Sequence, residues 1–257
     1  MENYSEYDTE QIMELSGYPE LCNYFLSLAK DDAMREKLSG ILYGGGYQGY
    51  DIFGHYGRND ELMEAKRRAG VAYQLVTNPN TFDELGKNNV IYYHGTSSMA
   101  LPSILKYGLN SYDKSITDGL NIRTGEEWSR NRGRDFVSFT DVLDVAIDYA
   151  IVNSNENAFP VVVGTSLDNI RKTYRKPVSS ELPEIGVKNH FPKELISCIL
   201  VPADKVSMVK EMVGDGIKVL PADLREEKFY SVDLDSFQIY VDDNRYNELI
   251  GKSGYTR

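Results

Sequence analysis

The sequence predicts an α+β fold in which short strands form a sheet and helices pack against it. Runs at residues 90–93, 136–140 and 159–165 are rich in β-branched and aromatic side chains, which suit a pleated surface. Other stretches repeat apolar residues every three or four positions, the spacing of a helix with one buried face. Periodicity by itself therefore indicates a chain of mixed α and β structure.

The first 85 residues are predicted to form a helical N-terminal extension. Apolar residues recur at helical spacing over residues 1–42, and Asn59 or Asp60 can cap a further helix at 61–77. The Asn-Pro-Asn at 78–80 is expected to end that helix, because the residue before a proline disfavours helical backbone angles. A polar connector then leads into the first strand.

A glycine-rich stretch at 44–49 matches the spacing G-x-G-x-x-G. We interpret it as a Tyr/Gly loop, because no clear strand precedes it and no glycine-packed helix follows, as a dinucleotide-binding turn requires. His55 is isolated in the same loop and is interpreted as a solvated or hydrogen-bonded residue.

Composition excludes several classes of protein. The 28 Lys+Arg against 39 Asp+Glu give a formal net charge of −11, which disfavours non-specific binding to a phosphate backbone. Two cysteines and three histidines provide neither a disulfide framework nor a zinc-site spacing. With no secretory signal or membrane-length apolar run, we expect a soluble, cytoplasmic protein that does not enter a membrane. Delivery into another cell by a route without a cleaved signal stays open.

The run at 90–93 is predicted to be a buried strand that delivers His94 at its exit. Gly95 is expected to allow a sharp turn or the close approach of a ligand. Ser97 or Ser98 can cap the next helix, which tolerates Pro102 in its first turn and ends at Gly108.

A second strand–helix unit follows a long polar stretch. The strand at 136–140 places Ser138 in its middle, and Thr140 or Asp141 can cap a helix whose inner face includes Tyr149. From the residues alone, Ser138 would be an ordinary strand residue and Tyr149 a core residue. The arginines at 128–134 are either paired with nearby carboxylates or form a site for a phosphate-bearing ligand.

A further short strand is predicted at 185–187, directly after Glu184. Glu184 is the first choice for a functional carboxylate, Glu181 the second, and a solvent-facing loop glutamate is the alternative for both. His190 is interpreted as a loop residue and Cys198 as a buried small hydrophobe in the last apolar strand. Beyond it we expect a helix at 206–213, strands near 229–232 and 237–241, and a polar tail that frays from residue 242.

Three of these stretches, within residues 88–205, resemble the motifs of ADP-ribosyltransferases. Tyr93-His94-Gly95-Thr96 is similar to the first motif of the branch with an initial histidine, which includes diphtheria-toxin-like enzymes and poly-ADP-ribose polymerases. The strand around Ser138 and the helix with Tyr149 resemble the second motif, and Glu184 with its strand resembles the third. Polymerase-like members usually carry tyrosine where this chain has Ser138, so the resemblance implies a mixed His-Ser-Glu type.

The resemblance implies a split β-sheet fold, with two packed antiparallel sheets that hold NAD in a cleft. Residues 86–220 would form the catalytic domain, after the 1–85 extension and before C-terminal strands and a polar tail at 221–257. The catalytic residues would be His94, Tyr149 and Glu184. NAD, which is the substrate, would be bound by Gly95, Thr96, Ser138 and Arg134. No metal is implied.

The implied activity is cleavage of the nicotinamide–ribose bond of NAD and transfer of ADP-ribose to a macromolecular acceptor, with protein as the first choice and nucleic acid as the second. NAD hydrolysis, a nucleic-acid-modifying toxin and a non-catalytic binding domain are the alternatives. An RNA 2′-phosphotransferase on the same scaffold is disfavoured, because it needs a broad basic surface. The oligomeric state is left open.

Overall fold

The computed structural model describes residues 9–43, 60–117, 135–173, 175–177, 184–225, 228–233, 236 and 238–253. The predictions for the 44–49 glycines, His55, Arg134 and Glu181 lie outside these residues. The α-helices are α1 (Thr9–Met13), α2 (Tyr18–Ser27), α3 (Asp32–Tyr43), α4 (Asp60–Thr77), α5 (Pro79–Lys87), α6 (Leu101–Tyr107), α7 (Tyr112–Thr117), α8 (Leu143–Val152), α9 (Leu167–Arg171), α10 (Val206–Val213) and α11 (Asp243–Ser253). The strands are β1 (Val90–Ser97), β2 (Leu109–Asn110), β3 (Phe136–Thr140), β4 (Pro160–Ser166), β5 (Arg175–Pro177), β6 (Glu184–Lys188), β7 (His190–Phe191), β8 (Cys198–Val201), β9 (Lys218–Pro221), β10 (Tyr230–Asp233) and β11 (Gln238–Val241).

The described strands form one main sheet of seven strands in the order β5-β6-β3-β1-β4-β8-β9. Neighbouring strands are antiparallel except β8 and β9, which are parallel. Two small sheets, β2-β7 and β10-β11, accompany it. The fold is therefore mixed α and β with a mainly antiparallel sheet, as predicted.

The main sheet is split between β1 and β3. Only the pair Tyr93–Thr140 joins these two strands, whereas β1 pairs with β4, and β3 with β6, over most of their lengths. Beyond that pair no ladder pairing joins residues 94–97 to 136–139, and we call this unpaired stretch the opening. The described strands thus form one sheet with little pairing between β1 and β3, and not the two packed sheets that the resemblance implies.

Each face of the sheet is covered by different helices. On one face, Tyr93, Val162 and Leu200 share a core with Ala146 and Ala150 of α8. On the other face, apolar side chains from the strands pack with those of α6, α9 and α10. The alternation of strand residues explains this division, because successive side chains point to opposite faces.

The N-terminal helices share a core with the C-terminal hairpin and helix. The rings of Phe25 and Phe229 lie 5.0 Å apart, and those of Tyr24 and Tyr246 lie 4.6 Å apart, both edge-on. Buried residues of α1 to α4 pack in the same cluster as Tyr230 and Ile239 of the hairpin. The predicted N-terminal extension (1–85) and the C-terminal part (221–257) therefore share one hydrophobic core.

The structure differs from the predictions at several ends of elements. β1 continues through Gly95 to Ser97 instead of stopping at residue 93. Pro79 begins α5, which the prediction missed, because a proline is tolerated in the first turn of a helix. The predicted fraying tail is the helix α11, which Tyr246 anchors in the core at 8% exposure.

The first motif's helix also starts differently. A short 3-10 turn, Ser98–Ala100, precedes α6, and no side chain caps either element. The Ser98 hydroxyl instead accepts a hydrogen bond of 3.1 Å from the backbone N–H of Phe159. Pro102 lies in the first turn of α6 and Gly108 ends it with a φ of 83°, both as predicted.

No helix in the described ranges combines the length and apolar character needed to cross a membrane.

Candidate active site

The imidazole of His94 lies in the opening of the sheet. Its Nδ1 is 2.7 Å from the carbonyl oxygen of Ser138 on β3. A carbonyl oxygen can only accept a hydrogen bond, so Nδ1 carries the proton and donates it. The side chain therefore bridges the two strands where their backbone pairing has stopped.

The surroundings of His94 favour its neutral form. Burial lowers the pKa of the imidazole below its usual 6.5, and the bond to the Ser138 carbonyl opposes this shift only in part. With Nδ1–H fixed, the neutral ring has its lone pair on Nε2, which can accept a hydrogen bond. Such a group suits a hydroxyl donor better than an anion.

Tyr149 and Glu184 form the second part of the site. The Tyr149 hydroxyl donates a hydrogen bond to Oε1 of Glu184 over 3.1 Å, and both side chains are half-buried. Glu184 opens β6, and Tyr149 lies on α8, which covers the sheet next to β1. The helix of the second motif and the glutamate of the third are thus in direct contact.

Strand β3 connects these two parts. Ser138 holds His94 through its carbonyl, and Thr140, two residues later, is the partner of Glu184 across the β3–β6 ladder. Thr140 is also the partner of Tyr93, which places the side chain of His94 on the opposite side of the sheet. There the His94 ring lies 5.8 Å from that of Phe139. His94 and the Tyr149–Glu184 pair therefore border the opening from opposite sides.

Gly95 is required by packing. A Cβ at this position would lie 1.9 Å from the carbonyl oxygen of Ala146 and 2.8 Å from the amide nitrogen of Ala150, both on α8. The chain does not turn here, so the predicted sharp turn is wrong. The absence of a side chain allows α8, and with it Tyr149, to approach β1 closely.

The remaining predicted ligands have different positions. Thr96 lies on β1 at the opening, and Ser138 lies opposite Gly186 in the β3–β6 ladder; both are half-buried. Arg134 and Glu181 are not among the described residues, so their roles stay predictions, as does a common NAD cleft.

A buried ion network supports the start of α8, and no sequence pattern predicted it. Arg67 of α4 contacts Glu64 and, at 3.0 Å, Asp141, the residue that follows β3. The three side chains are at most 3% exposed. Asp141 was a candidate cap for α8, but its carboxylate binds Arg67; the Thr140 hydroxyl instead accepts from the amide of Val142 at 3.1 Å. Burial raises the pKa of the Asp141 carboxyl, and the Arg67 guanidinium opposes that rise.

Other titratable candidates have structural roles. His190, predicted in a loop, lies in β7, where its Nδ1 is 2.7 Å from Oδ1 of Asn110. Cys22 and Cys198 are buried free thiols, and burial raises their pKa values to about 11 and about 12, which leaves both protonated and unreactive at neutral pH. Within the part of the chain that the structure describes, no group of three or more potential metal ligands occurs.

Comparisons with known proteins give partial likenesses only. No protein-family model matches the chain, and neither does any curated protein. The solved structure of Thermosipho africanus DarTG in complex with ADP-ribose is similar at 14% identity and a TM-score of 0.36, over 51% of this chain and 49% of that one. Thermus sp. 2.9 DarT in complex with ADP-ribosylated ssDNA is similar at 16% identity and a TM-score of 0.38, over 53% of this chain and 95% of that one. The chain thus spans about half the length of the DarTG chain.

Proposed function

We propose that this protein is an ADP-ribosyltransferase that cleaves the nicotinamide–ribose bond of NAD at the opening of the sheet. The observation that carries the proposal is the contact between Tyr149 and Glu184. It brings together two segments that the sequence motifs had marked separately. His94, from the first motif, is hydrogen-bonded to the Ser138 carbonyl on β3, the strand that also pairs with the strand of Glu184.

Glu184 would supply the electrostatic stabilisation. When the glycosidic bond breaks, its electron pair goes to the nicotinamide nitrogen, so nicotinamide leaves as a neutral molecule and positive charge develops on the ribose. A carboxylate near the ribose stabilises this transition state more than the ground state, which is the condition for catalysis. The acceptor then attacks the anomeric carbon and loses a proton, which Glu184 can take.

Tyr149 and His94 would bind and orient the substrate from opposite sides of the opening. The ring of Tyr149 can stack on the cationic nicotinamide ring, while its hydroxyl holds Glu184 in place. The fixed tautomer of His94 leaves Nε2 to accept from a ribose hydroxyl. Thr96 and Ser138 offer short-range hydroxyl contacts on the two edges of the opening.

Single-stranded DNA, protein and water are the candidate acceptors. No feature of the described residues favours protein, the first choice, as the acceptor. The experiment therefore tests single-stranded DNA, protein and water in separate incubations. The purified protein is incubated with NAD labelled in its adenylate part, together with single-stranded DNA, a cell lysate or buffer alone. Label on DNA or protein indicates transfer, and free ADP-ribose with nicotinamide indicates hydrolysis.

Glu184→Gln tests the assigned role, because it keeps the size of the side chain and removes its charge. We expect a loss of NAD cleavage of at least about a hundredfold, the effect of removing one transition-state stabilising group. Glu194→Gln, at an exposed glutamate in the turn Lys193–Leu195, is the matched control and should keep full activity. If the wild-type protein consumes no NAD in any arm, or if Glu184→Gln is as active as wild type, the proposal is wrong.

A further inference from the structure

A cavity of about 420 Å³ lies among α3, α4 and α5, away from the opening. Its lining does not include His94, Tyr149 or Glu184, although Arg67 and Glu64 also belong to the ion network at the start of α8. Its size falls within the range of small-molecule sites, roughly 300–1,000 Å³. The lining combines apolar side chains with cations, and consists of Lys37, Gly40, Ile41, Glu64, Arg67, Arg68, Val71, Phe82, Asp83, Gly86 and Lys87.

Arg68 is a buried cation with an unused donor at this cavity. Its Nε donates to Oε1 of Glu64 at 2.7 Å, and its Nη1 donates to the carbonyl oxygen of Leu42 at 3.0 Å. Its Nη2 is buried and has no hydrogen-bond partner in the described part of the chain. The side chain is only 4% exposed. A buried guanidinium nitrogen without an acceptor is costly, and an anionic ligand would remove that cost.

Two lysines stand nearer to solvent around the same cavity. Lys37 pairs with Asp83, and Lys87 pairs with Glu84, each at 3.0 Å. Their side chains are 50% and 68% exposed, so both can turn toward a ligand at little cost. Glu84 is shared with Lys218, which leaves the cations in this region in excess of their carboxylate partners.

The remaining wall favours an apolar ligand body. Ile41, Val71 and Phe82 line the cavity, and Val71 is 8% exposed. A simple inorganic anion would leave this surface in contact with water. A ligand with a hydrophobic ring or branched chain would cover it and gain free energy in proportion to the area buried.

We propose that this cavity binds a small organic anion, namely a carboxylate attached to an aromatic or branched aliphatic body. Nη2 of Arg68 is buried in the free protein, so the side chains that cover it must shift slightly before the carboxylate can accept a hydrogen bond from it. The body packs against Ile41, Val71 and Phe82. The site is distinct from the proposed active site, because its lining does not include His94, Tyr149 or Glu184.

The test uses the full chain labelled with ¹⁵N and phenylacetate as the probe. We expect saturable shifts of amide signals, confined to α3, α4 and α5. Phenylacetamide, the neutral isostere, should bind about tenfold more weakly, because it cannot form the charge-assisted bond to Arg68. The absence of saturable shifts, equal binding of phenylacetamide, or equal binding of inorganic phosphate would each overturn the proposal.

A substituted glycine identifies the site without removing any native contact. Gly40 lines the cavity, and a Cβ there would meet no heavy atom within 4 Å. Gly40→Leu should therefore fold and fill the cavity, abolishing phenylacetate binding. Gly251→Leu is the matched control on α11, where a Cβ is equally unobstructed, and should bind like wild type. Unchanged binding by Gly40→Leu contradicts the assignment.

Discussion

The hydroxyl of Tyr149 donates a hydrogen bond to the carboxylate of Glu184, a residue 35 positions later in the chain. This bond fixes the carboxylate relative to α8, whose own position against β1 depends on the missing side chain of Gly95. The orientation of the Glu184 carboxylate therefore depends on how α8 packs against β1, although Glu184 itself lies on β6 in the other half of the sheet.

Tyr149→Phe and Tyr149→Ala should separate the two roles of the tyrosine. The phenylalanine variant keeps the ring but loses the bond to Glu184, so we expect kcat to fall about fivefold to tenfold at nearly unchanged KM for NAD. The alanine variant also loses the stacking ring and should raise KM. Steady-state NAD cleavage measures both, and a Tyr149→Phe enzyme with wild-type kcat would remove the orienting role.

The stability of the fold should depend on pH through His94. Burial lowers the pKa of the folded imidazole below its usual 6.5. Between the two pKa values the unfolded state is therefore protonated at His94, whereas the folded state is not. The stability from neutral His94 is fully present above pH 6.5 and is lost as pH falls toward the lowered pKa. Denaturant unfolding between pH 8 and pH 5 measures this loss. His94→Gln should show a smaller dependence on pH over the same interval, and an equal dependence would assign the effect to other groups.

Gly95→Ala should destabilise the protein severely. The new methyl group would lie 1.9 Å from the Ala146 carbonyl oxygen, so α8 must move or the chain must distort. Overpacking of this kind costs about 3 kcal/mol or more. Gly86→Ala on α5 is the control: its Cβ meets nothing within 4 Å, and the change should stabilise by about 0.5–1 kcal/mol. Equal unfolding free energies for the two variants would contradict the packing argument.

Arg67→Met should expose the cost of the buried ion network. It leaves Asp141 and part of Glu64 buried without their cation, which typically costs about 3–5 kcal/mol. The neighbouring Lys66→Met breaks a pair with Asp148 whose carboxylate is 57% exposed, and should cost less than about 1 kcal/mol. Chemical denaturation of both variants gives the comparison. A loss below 1 kcal/mol for Arg67→Met would mean that the network contributes little.

The sequence predicted those elements whose signals are local. The strands β3 and β4 and the helices α4 and α10 follow from residue type and spacing, and the ends of α6 follow from Pro102 and Gly108. The contact between Tyr149 and Glu184 is observed. A common site for His94, Tyr149 and Glu184, which the resemblance implies, stays a prediction.

What could not be predicted depends on tertiary contacts. The reason for Gly95 is a helix that lies some fifty residues later, and the role of Asp141 depends on an arginine in the N-terminal extension. The sequence of α11 is mostly polar, so it was predicted to be a fraying tail. The helix is held by Tyr246, whose ring packs edge-on against that of Tyr24. Such pairings need distant segments to be brought together first.

The core that α1 to α4 share with β10, β11 and α11 affects how the chain folds during synthesis on the ribosome. Phe25 emerges about two hundred residues before Phe229, its edge-on ring partner. Until then the early helices present an incomplete apolar surface, a condition in which nascent chains depend on chaperones. A translation product that stops before residue 229 would keep the split sheet's strands yet leave that surface uncovered, and the cell should remove it rapidly.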